Sequence, residues 1–415
     1  VTASAREYCS TDVSATSFWA KTAPEREKTF AYLREHEPVS WQRPGGSGLM
    51  PVEENDGYWA VVRHADIKYV STHPELFCSG KGPQMENVPQ EFLDATQSFL
   101  AMDAPRHTKL RRLVSTAFTP RRIATIDDQI RDQARRIVDE LLATGNCDFA
   151  RQVSMRLPMW TICEMVGVPD HQRLAVADGA DHLVSFSDEE VLAGREPIQL
   201  MAEAVMSLHG VAYEMIAARR EHPADDLITN LVQAEVDGDR LTDAEIAAFF
   251  VLLAVAGNDT TRNTITHTVL ALQNNPEQKQ FLVENFDDRI GVATEEFVRW
   301  ASPILTFRRT ATVDTEIGDR KIAEGEKVVM FYPSGNRDAA AFADPDKLDL
   351  SRTPNPHQGF GGGGPHFCMG HMLAKSQMRA IMKELLFRVP NLRVGEPVYL
   401  VSSFVHAVKS LPCTI

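Results

Sequence analysis

Cysteine is scarce in this sequence. Six residues, at positions 9, 78, 147, 163, 368 and 413 of 415, are scattered without a CxxC pair. That scatter argues against a disulfide framework and against a structural zinc site. Five of the six are expected to be small buried hydrophobes. Positive charge is also short: 43 Lys and Arg stand against 57 Asp and Glu, for a net charge of −14. Nucleic acid and anionic membranes are therefore poor global partners. No stretch reaches the roughly 20 apolar residues that a bilayer span needs. The first thirty residues lack the apolar core of a signal peptide, so a cytoplasmic protein without a membrane span is expected. Repeats and low-complexity linkers are missing as well, and the Pro/Gly-rich stretches at 43–51 and 78–90 separate no distinct halves. A single domain over residues 1–415 is expected, although the length alone would permit two or three.

What the chain does have is helical periodicity. From about 120 to 300, apolar residues recur at three- and four-residue spacing, as in IDDQIRDQARRIVDELLATG, which stops at Gly145, and EAVMSLHGVAYEMIAARREHP, which stops at Pro223. Strand-like segments are few: YWAVV at 58–62, EIGDRKIAEGEKVVMFY at 316–332, and weak signals near the C-terminus. The fold class is mainly α with a minor β portion.

Near the C-terminus stands GFGGGGPHFCMGHMLA, residues 359–374. Gly361 to Gly364 allow a tight turn that can lie close to something flat or bulky. Cys368 follows where a helix could begin, and a helix N-terminus favours thiolate over thiol. The stretch reads as a cradle for an anionic sulfur.

A second element is LTDAEIAAFFVLLAVAGNDTTRNTITHTVLALQNNP. Thr242 and Glu245 form a capping-box pattern, so a helix should start there and run to about Asn274, before Pro276. Its first half is apolar almost all round and must cross the interior. In its middle, AGNDTT places Ala256, Gly257, Asp259 and Thr260 where polar groups are costly. The Thr260 hydroxyl can compete for the Ala256 carbonyl and open the helix ladder, with small Ala256 and Gly257 leaving space beside it. Asp259 could feed protons to that notch. A functionless kink with a solvated aspartate is the plain alternative.

Two further pairs are weak alone. Glu296 and Arg299 in EEFVRW stand one helical turn apart, and His107 and Arg111 in DAPRHTKLRRLVSTAFTP share a helix face suited to gripping an anion.

In order and spacing, these four elements make the sequence resemble the cytochrome P450 family of haem-thiolate monooxygenases along nearly its whole length. The cysteine loop resembles the family's F-x-x-G-x-[HR]-x-C-x-G signature, with Gly364, His366, Cys368 and Gly370 in register. Phe360 stands eight residues before the cysteine where the family usually has seven. The same extra residue occurs in actinobacterial members that oxidise sterols and methyl-branched lipids. The resemblance implies a single haem domain of the cytochrome P450 fold, with haem b (iron protoporphyrin IX) as cofactor and Cys368 as the axial ligand of its iron. Ala256, Gly257, Asp259 and Thr260 then match the oxygen-activating groove, with Thr260 as hydrogen-bond partner of dioxygen and Asp259 as proton relay. Glu296, Arg299 and Arg352 would lock the fold behind the haem. His107, Arg111 and His366 match propionate-binding positions. Arg309, five residues before Asp314, fits the fourth such position better than Arg308. Phe360 and Gly370 complete the cradle.

The resemblance further implies separate electron donors, a ferredoxin and an NAD(P)H-dependent ferredoxin reductase. Lys109, Arg112, Arg121, Arg122, Lys375 and Arg379 are the candidate docking charges. By family analogy the substrate pocket draws on Phe92, Phe99, Leu100, Val184, Phe186, Leu252, Val255, Ile304, Leu305 and Phe404, a lining suited to a small apolar lipid. The expected reaction is hydroxylation of a long apolar substrate at the terminal (ω) carbon of a methyl-branched lipid, isoprenoid or sterol side chain. The alternatives are a monooxygenase of polyketide or terpenoid secondary metabolism, a peroxygenase on the same fold, and a non-catalytic haem sensor or carrier.

Overall fold

The structure is a computed structural model that describes residues 6–45, 57–96, 98–115, 118, 120–186, 188–236 and 238–415. Part of the expected 43–51 loop lies outside the described residues, as do the side chains of Arg121 and Arg122. The helices that position the site are α1 (His64–Thr72), α2 (Arg106–Ser115), α3 (Pro120–Thr144), α4 (Arg156–Val166), α5 (Arg173–Val184), α6 (Pro197–Glu221), α7 (Asp243–Asn274), α8 (Phe286–Ala301) and α9 (His371–Arg388).

The central helix α7 begins where its capping box predicts. The Thr242 N–H donates to Glu245 Oε2 at 2.9 Å, and the Glu245 N–H donates to Thr242 Oγ1 at 3.2 Å. It runs 32 residues to Asn274. Long and apolar enough to cross a membrane, it is instead mostly buried within the protein. The sequence expectation of no such span missed this, because few charges interrupt a helix that has helices on nearly every side. α4, α5, α6, α8 and α9 all pack against it, and α9 also lies along α3.

The β portion centres on one sheet of β1 (Val39–Gln42), β2 (Tyr58–Val61), β3 (Phe77–Cys78), β4 (Thr306–Ala311) and β5 (Lys327–Phe331), in the order β1-β2-β5-β4-β3. Only the β2–β5 pair is parallel. The expected strand at 316–332 is broken. Thr315–Ile317 and Arg320–Ile322 form a hairpin, then a turn in which the Glu326 N–H donates to Ala323 O (3.1 Å) leads into β5. Along β4, side chains alternate between faces, so Arg308 and Arg309 point opposite ways. At the C-terminus, Val398–Tyr399 pairs with Val408–Ser410, and Pro412–Thr414 pairs with both Arg393–Val394 and Cys147–Asp148.

Behind the cysteine loop, Glu296 and Arg299 are wholly buried. Arg299 Nε and Nη2 donate to the two Glu296 oxygens at 2.7 Å each, and Arg352 Nε donates to Glu296 Oε2 at 3.2 Å. The remaining capacity is filled by backbone: Arg299 reaches the carbonyls of Asn336, Pro345 and Lys347, and the Asp349 N–H reaches Glu296 Oε1. Burying such ions is expensive unless every lone pair and proton is met, and here they are. The sequence pair that looked weak is a fully satisfied brace between α8 and the 336–352 segment.

Candidate active site

Gly361 to Gly364 all adopt positive φ, between +70° and +102°. The sequence reading gave this run to a bound group, but the neighbour of its second half is protein. A Cβ added at Gly364 would lie 2.0 Å from the Ser71 carbonyl oxygen. The run therefore lets the loop settle on α1, and of the four glycines only Gly361 borders the central cavity. The loop then returns so that the Cys368 N–H donates to Phe360 O at 2.9 Å. Phe360 packs among Phe367, His371 and His357, so its displaced sequence position leaves it beside the loop.

Cys368 lines the cavity. Burial pushes its thiol up, while the N–H groups of Gly370 and His371 at the start of α9, and the Arg111 guanidinium, pull it down. Desolvation wins. The helix terminus acts as the sequence predicts, but alone it does not deprotonate the sulfur; a coordinated metal does so outright.

On α7 the Thr260 hydroxyl donates to Ala256 O at 2.8 Å, the competition its spacing predicts. α7 keeps its helical course through this notch, from Asp243 to Asn274. Gly257 has a second neighbour besides the space expected of it. A Cβ there would meet Ile162 Cδ1 at 2.4 Å, so the glycine admits α4 to close contact with α7. Ala256, Gly257, Asp259 and Thr260 all line the cavity.

Asp259 is 1% exposed. Burial raises its pKa to about 6, against the lowering effect of Arg262. Arg262, itself buried, was missed in the sequence although it stands one turn after Asp259. Asn263 was missed too: its Nδ2 donates to Asp259 O (2.8 Å) and its Oδ1 accepts the Val408 N–H (2.9 Å), tying the C-terminal strand to this turn of α7.

A cationic cluster forms between α2, β4 and the cysteine loop. The rings of His107 and His366 stand 4.3 Å apart, and His366 Nε2 meets Ser79 Oγ at 3.0 Å. Burial, aided by Arg111 and Arg309, lowers His107 to about 4; burial, Arg309, His107 and Arg111 lower His366 to about 2. His107 Nε2 and His366 Nδ1 are buried without a partner. Two guanidinium groups and two under-satisfied imidazoles gathered in one wall fit a buried anion, such as the carboxylates of a haem. Arg308 faces the other way, where its Nη1 donates to Glu86 O and Asn87 Oδ1.

The cavity itself measures about 510 Å³. Phe92, Phe99, Leu100, Val184, Phe186, Leu252, Val255, Ile304 and Phe404 line it as expected. Leu305 does not: it is 2% exposed and packs in the core with Tyr58, Val329 and Phe331, because extended backbone turns it away from the side Ile304 faces. Two expected docking cations are neutralised, Lys109 by Asp239 and Lys375 by Glu295 (2.6 Å), and Arg379 Nε donates to Lys375 O at 3.3 Å. Of the five cysteines expected to be buried, Cys163 and Cys413 are, whereas Cys9, Cys78 and Cys147 are half-buried.

A haem-thiolate enzyme is what these features describe: a lone cysteine in a glycine-rich loop, an acid–alcohol pair on a buried helix, and an anion-ready cluster around one apolar cavity. The cytochrome P450 family model matches residues 195–389. The methyl-branched lipid omega-hydroxylase of Mycobacterium tuberculosis is 40% identical, with 97% of this chain and 94% of that protein covered. The steroid C26-monooxygenase of Rhodococcus jostii is 38% identical over 94% of this chain and 82% of that protein. A solved structure of Mycobacterium marinum cytochrome P450 CYP268A2 in complex with pseudoionone superposes with a TM-score of 0.97 at 55% identity, covering both chains completely. The chain belongs to the cytochrome P450 family. It is a monooxygenase that carries haem iron and uses dioxygen and redox partners.

Proposed function

We propose that the protein hydroxylates a methyl-branched lipid, isoprenoid or sterol side chain at its terminal carbon, in the cytoplasm. The observation that carries this reading is that one largely apolar cavity is lined at once by Cys368, by Thr260 and by nine of the ten expected apolar wall residues. Relatives named for methyl-branched lipid and steroid C26 oxidation, at 36–40% identity, support it.

Haem b, when bound, supplies the activation of dioxygen, with the thiolate pushing electron density onto the iron. Cys368 would hold the iron through its sulfur. Arg111, Arg309, His107 and His366 would hold the propionates, whose charge would draw protons back onto the two imidazoles. Gly361, Phe360 and Gly370, which line the cavity, would shape the loop beside a bound haem. Asp259, with a pKa near 6, can both take and release a proton close to neutral pH, and Thr260, the next residue on α7, presents the hydroxyl that lines the cavity. The apolar walls keep water from the reacting carbon. Electrons come from a ferredoxin and its NAD(P)H-dependent reductase, with exposed Arg112 among the docking charges.

An optical titration of the ferric protein tests the substrate, using a methyl-branched fatty acid, an isoprenoid ester, a 3-keto sterol and a macrolide. A high-spin shift with one of the first three, followed by turnover that adds one oxygen at the chain terminus, is expected. A shift with the macrolide alone would move the enzyme to secondary metabolism.

A further inference from the structure

Cys147 and Cys413 face each other in register across an antiparallel strand pair, with Sγ atoms 3.4 Å apart. Both are free thiols. Opposed residues in such a pair have Cα atoms roughly 4.5–5.5 Å apart, inside the window a disulfide requires. Bringing the sulfurs to about 2.05 Å then needs side-chain adjustment and little backbone movement. The two residues join distant parts of the fold. Cys147 follows the end of α3. Cys413 lies just after the hairpin 398–410, whose connecting turn puts Val401 to Val405 into the cavity wall.

We propose that Cys147 and Cys413 are an oxidation site, closed by peroxide into a disulfide that latches the C-terminal hairpin to the helical body. Cys147, half-buried, meets the oxidant first, whereas Cys413 is 4% exposed. The Cys147 sulfur attacks the peroxide O–O bond, giving a sulfenic acid and one water. The Cys413 sulfur then displaces the second oxygen as water, and the S–S bond forms. Two thiols are oxidised by two electrons, and one peroxide is reduced to two waters. Burial and the neighbouring sulfur raise the Cys147 thiol to about 12, so closure is slow at neutral pH. The latch adds a covalent tie to the C-terminal segment, which the Val408–Asn263 hydrogen bond already fastens to α7 beside Asp259.

The test treats the haem-loaded full chain with hydrogen peroxide, then combines peptide mass mapping with hydrogen exchange. The expected result is a linked peptide pair joining Cys147 to Cys413, lighter by two hydrogens, and at least several-fold slower exchange over 398–410. Cys147→Ser, a near-isosteric change at a half-buried position, should show neither. Peroxide-treated protein with no such linked pair, or with sulfinic acids at the separate cysteines, overturns the disulfide. A linked pair with unchanged exchange over 398–410 overturns the latch.

Discussion

Arg262 bridges Asp259 to the protein surface: its Nη2 lies 3.0 Å from Asp259 Oδ1, and its Nη1 lies 2.9 Å from the half-exposed Asp181. A buried acid that must exchange protons with solvent thus has a charged neighbour that reaches outward. Removing the Asp259 carboxyl should stop that exchange without disturbing the apolar pocket. Asp259→Asn is expected to lower turnover by about ten- to a hundredfold, in the range of a lost general acid–base group, with ligand affinity nearly unchanged. Rate and optical ligand titration, measured on the same protein, check the split.

Arg262 should act through the pKa of Asp259. Its charge lowers the carboxyl, so Arg262→Gln is expected to raise Asp259 above its present value near 6. More of the acid is then protonated at neutral pH. If Asp259 carries the acid limb of the turnover profile, that limb moves to higher pH in the variant. A pH–rate profile unmoved by the substitution would remove Asp259 from the relay.

Arg309 and Arg308 give a paired comparison. Arg309 stands with the histidine cluster, and Arg308 holds the 86–87 backbone and side chain on the opposite face. Arg309→Gln is expected to speed haem loss about tenfold, the equivalent of one charge-assisted hydrogen bond of roughly 1.5 kcal/mol. Arg308→Gln should instead cost about 1–2 kcal/mol of stability and leave haem loss unchanged. Haem transfer to an acceptor globin and urea unfolding separate the two outcomes.

Much of this site was legible because its chemistry is local in sequence. The capping box at Thr242, the Thr260–Ala256 spacing and the lone Cys368 before a helix each depend on residues within a few positions. Glu296 and Arg299 were visible as a pair, but their worth was not: burial and backbone partners from 336 to 349 come from another part of the chain. The same limit explains the errors. Gly364 owes its identity to Ser71, and Gly257, besides lining the cavity, must also clear Ile162, each far away in sequence. Leu305 looked like Ile304 until the strand fixed which way each faced. The Cys147–Cys413 pairing joins strands 266 positions apart, which no spacing rule addresses.

Gly257 gives a direct test of that distant packing. Gly257→Ala would place a methyl group 2.4 Å from Ile162 Cδ1, the free end of a side chain. Overpacking of this kind costs about 1–3 kcal/mol, less the helix propensity gained. Ile162→Ala removes both offending carbons, Cδ1 and the Cγ1 that would lie at 2.7 Å, so Gly257→Ala should cost much less in that background. Urea unfolding of the two single variants and the pair checks it: simple additivity would show that the two residues do not meet in this way.

His267 and His406 stack at 4.0 Å, and His267 Nε2 meets the His406 carbonyl at 2.9 Å. His406 Nδ1 in turn meets Ala301 O, which ties the cavity-lining C-terminal turn to the end of α8. Burial holds both imidazoles neutral, lowering His267 to about 4 and His406 well below its ordinary value. In the unfolded chain each would take a proton near 6.5. Between those values the unfolded state binds more protons, so stability is full above pH 6.5 and is lost as pH falls toward 4. His267 alone should account for about 2 kcal/mol between pH 7 and pH 5. Asp259 works in the opposite sense, because its raised pKa makes the folded state the better proton binder between about 4 and 6. The histidine slope is therefore best isolated by comparison with His267→Gln, which keeps a donor for the His406 carbonyl and cannot titrate. Unfolding free energy measured against pH should fall less steeply in the variant, and equal slopes would mean that His267 is not buried neutral.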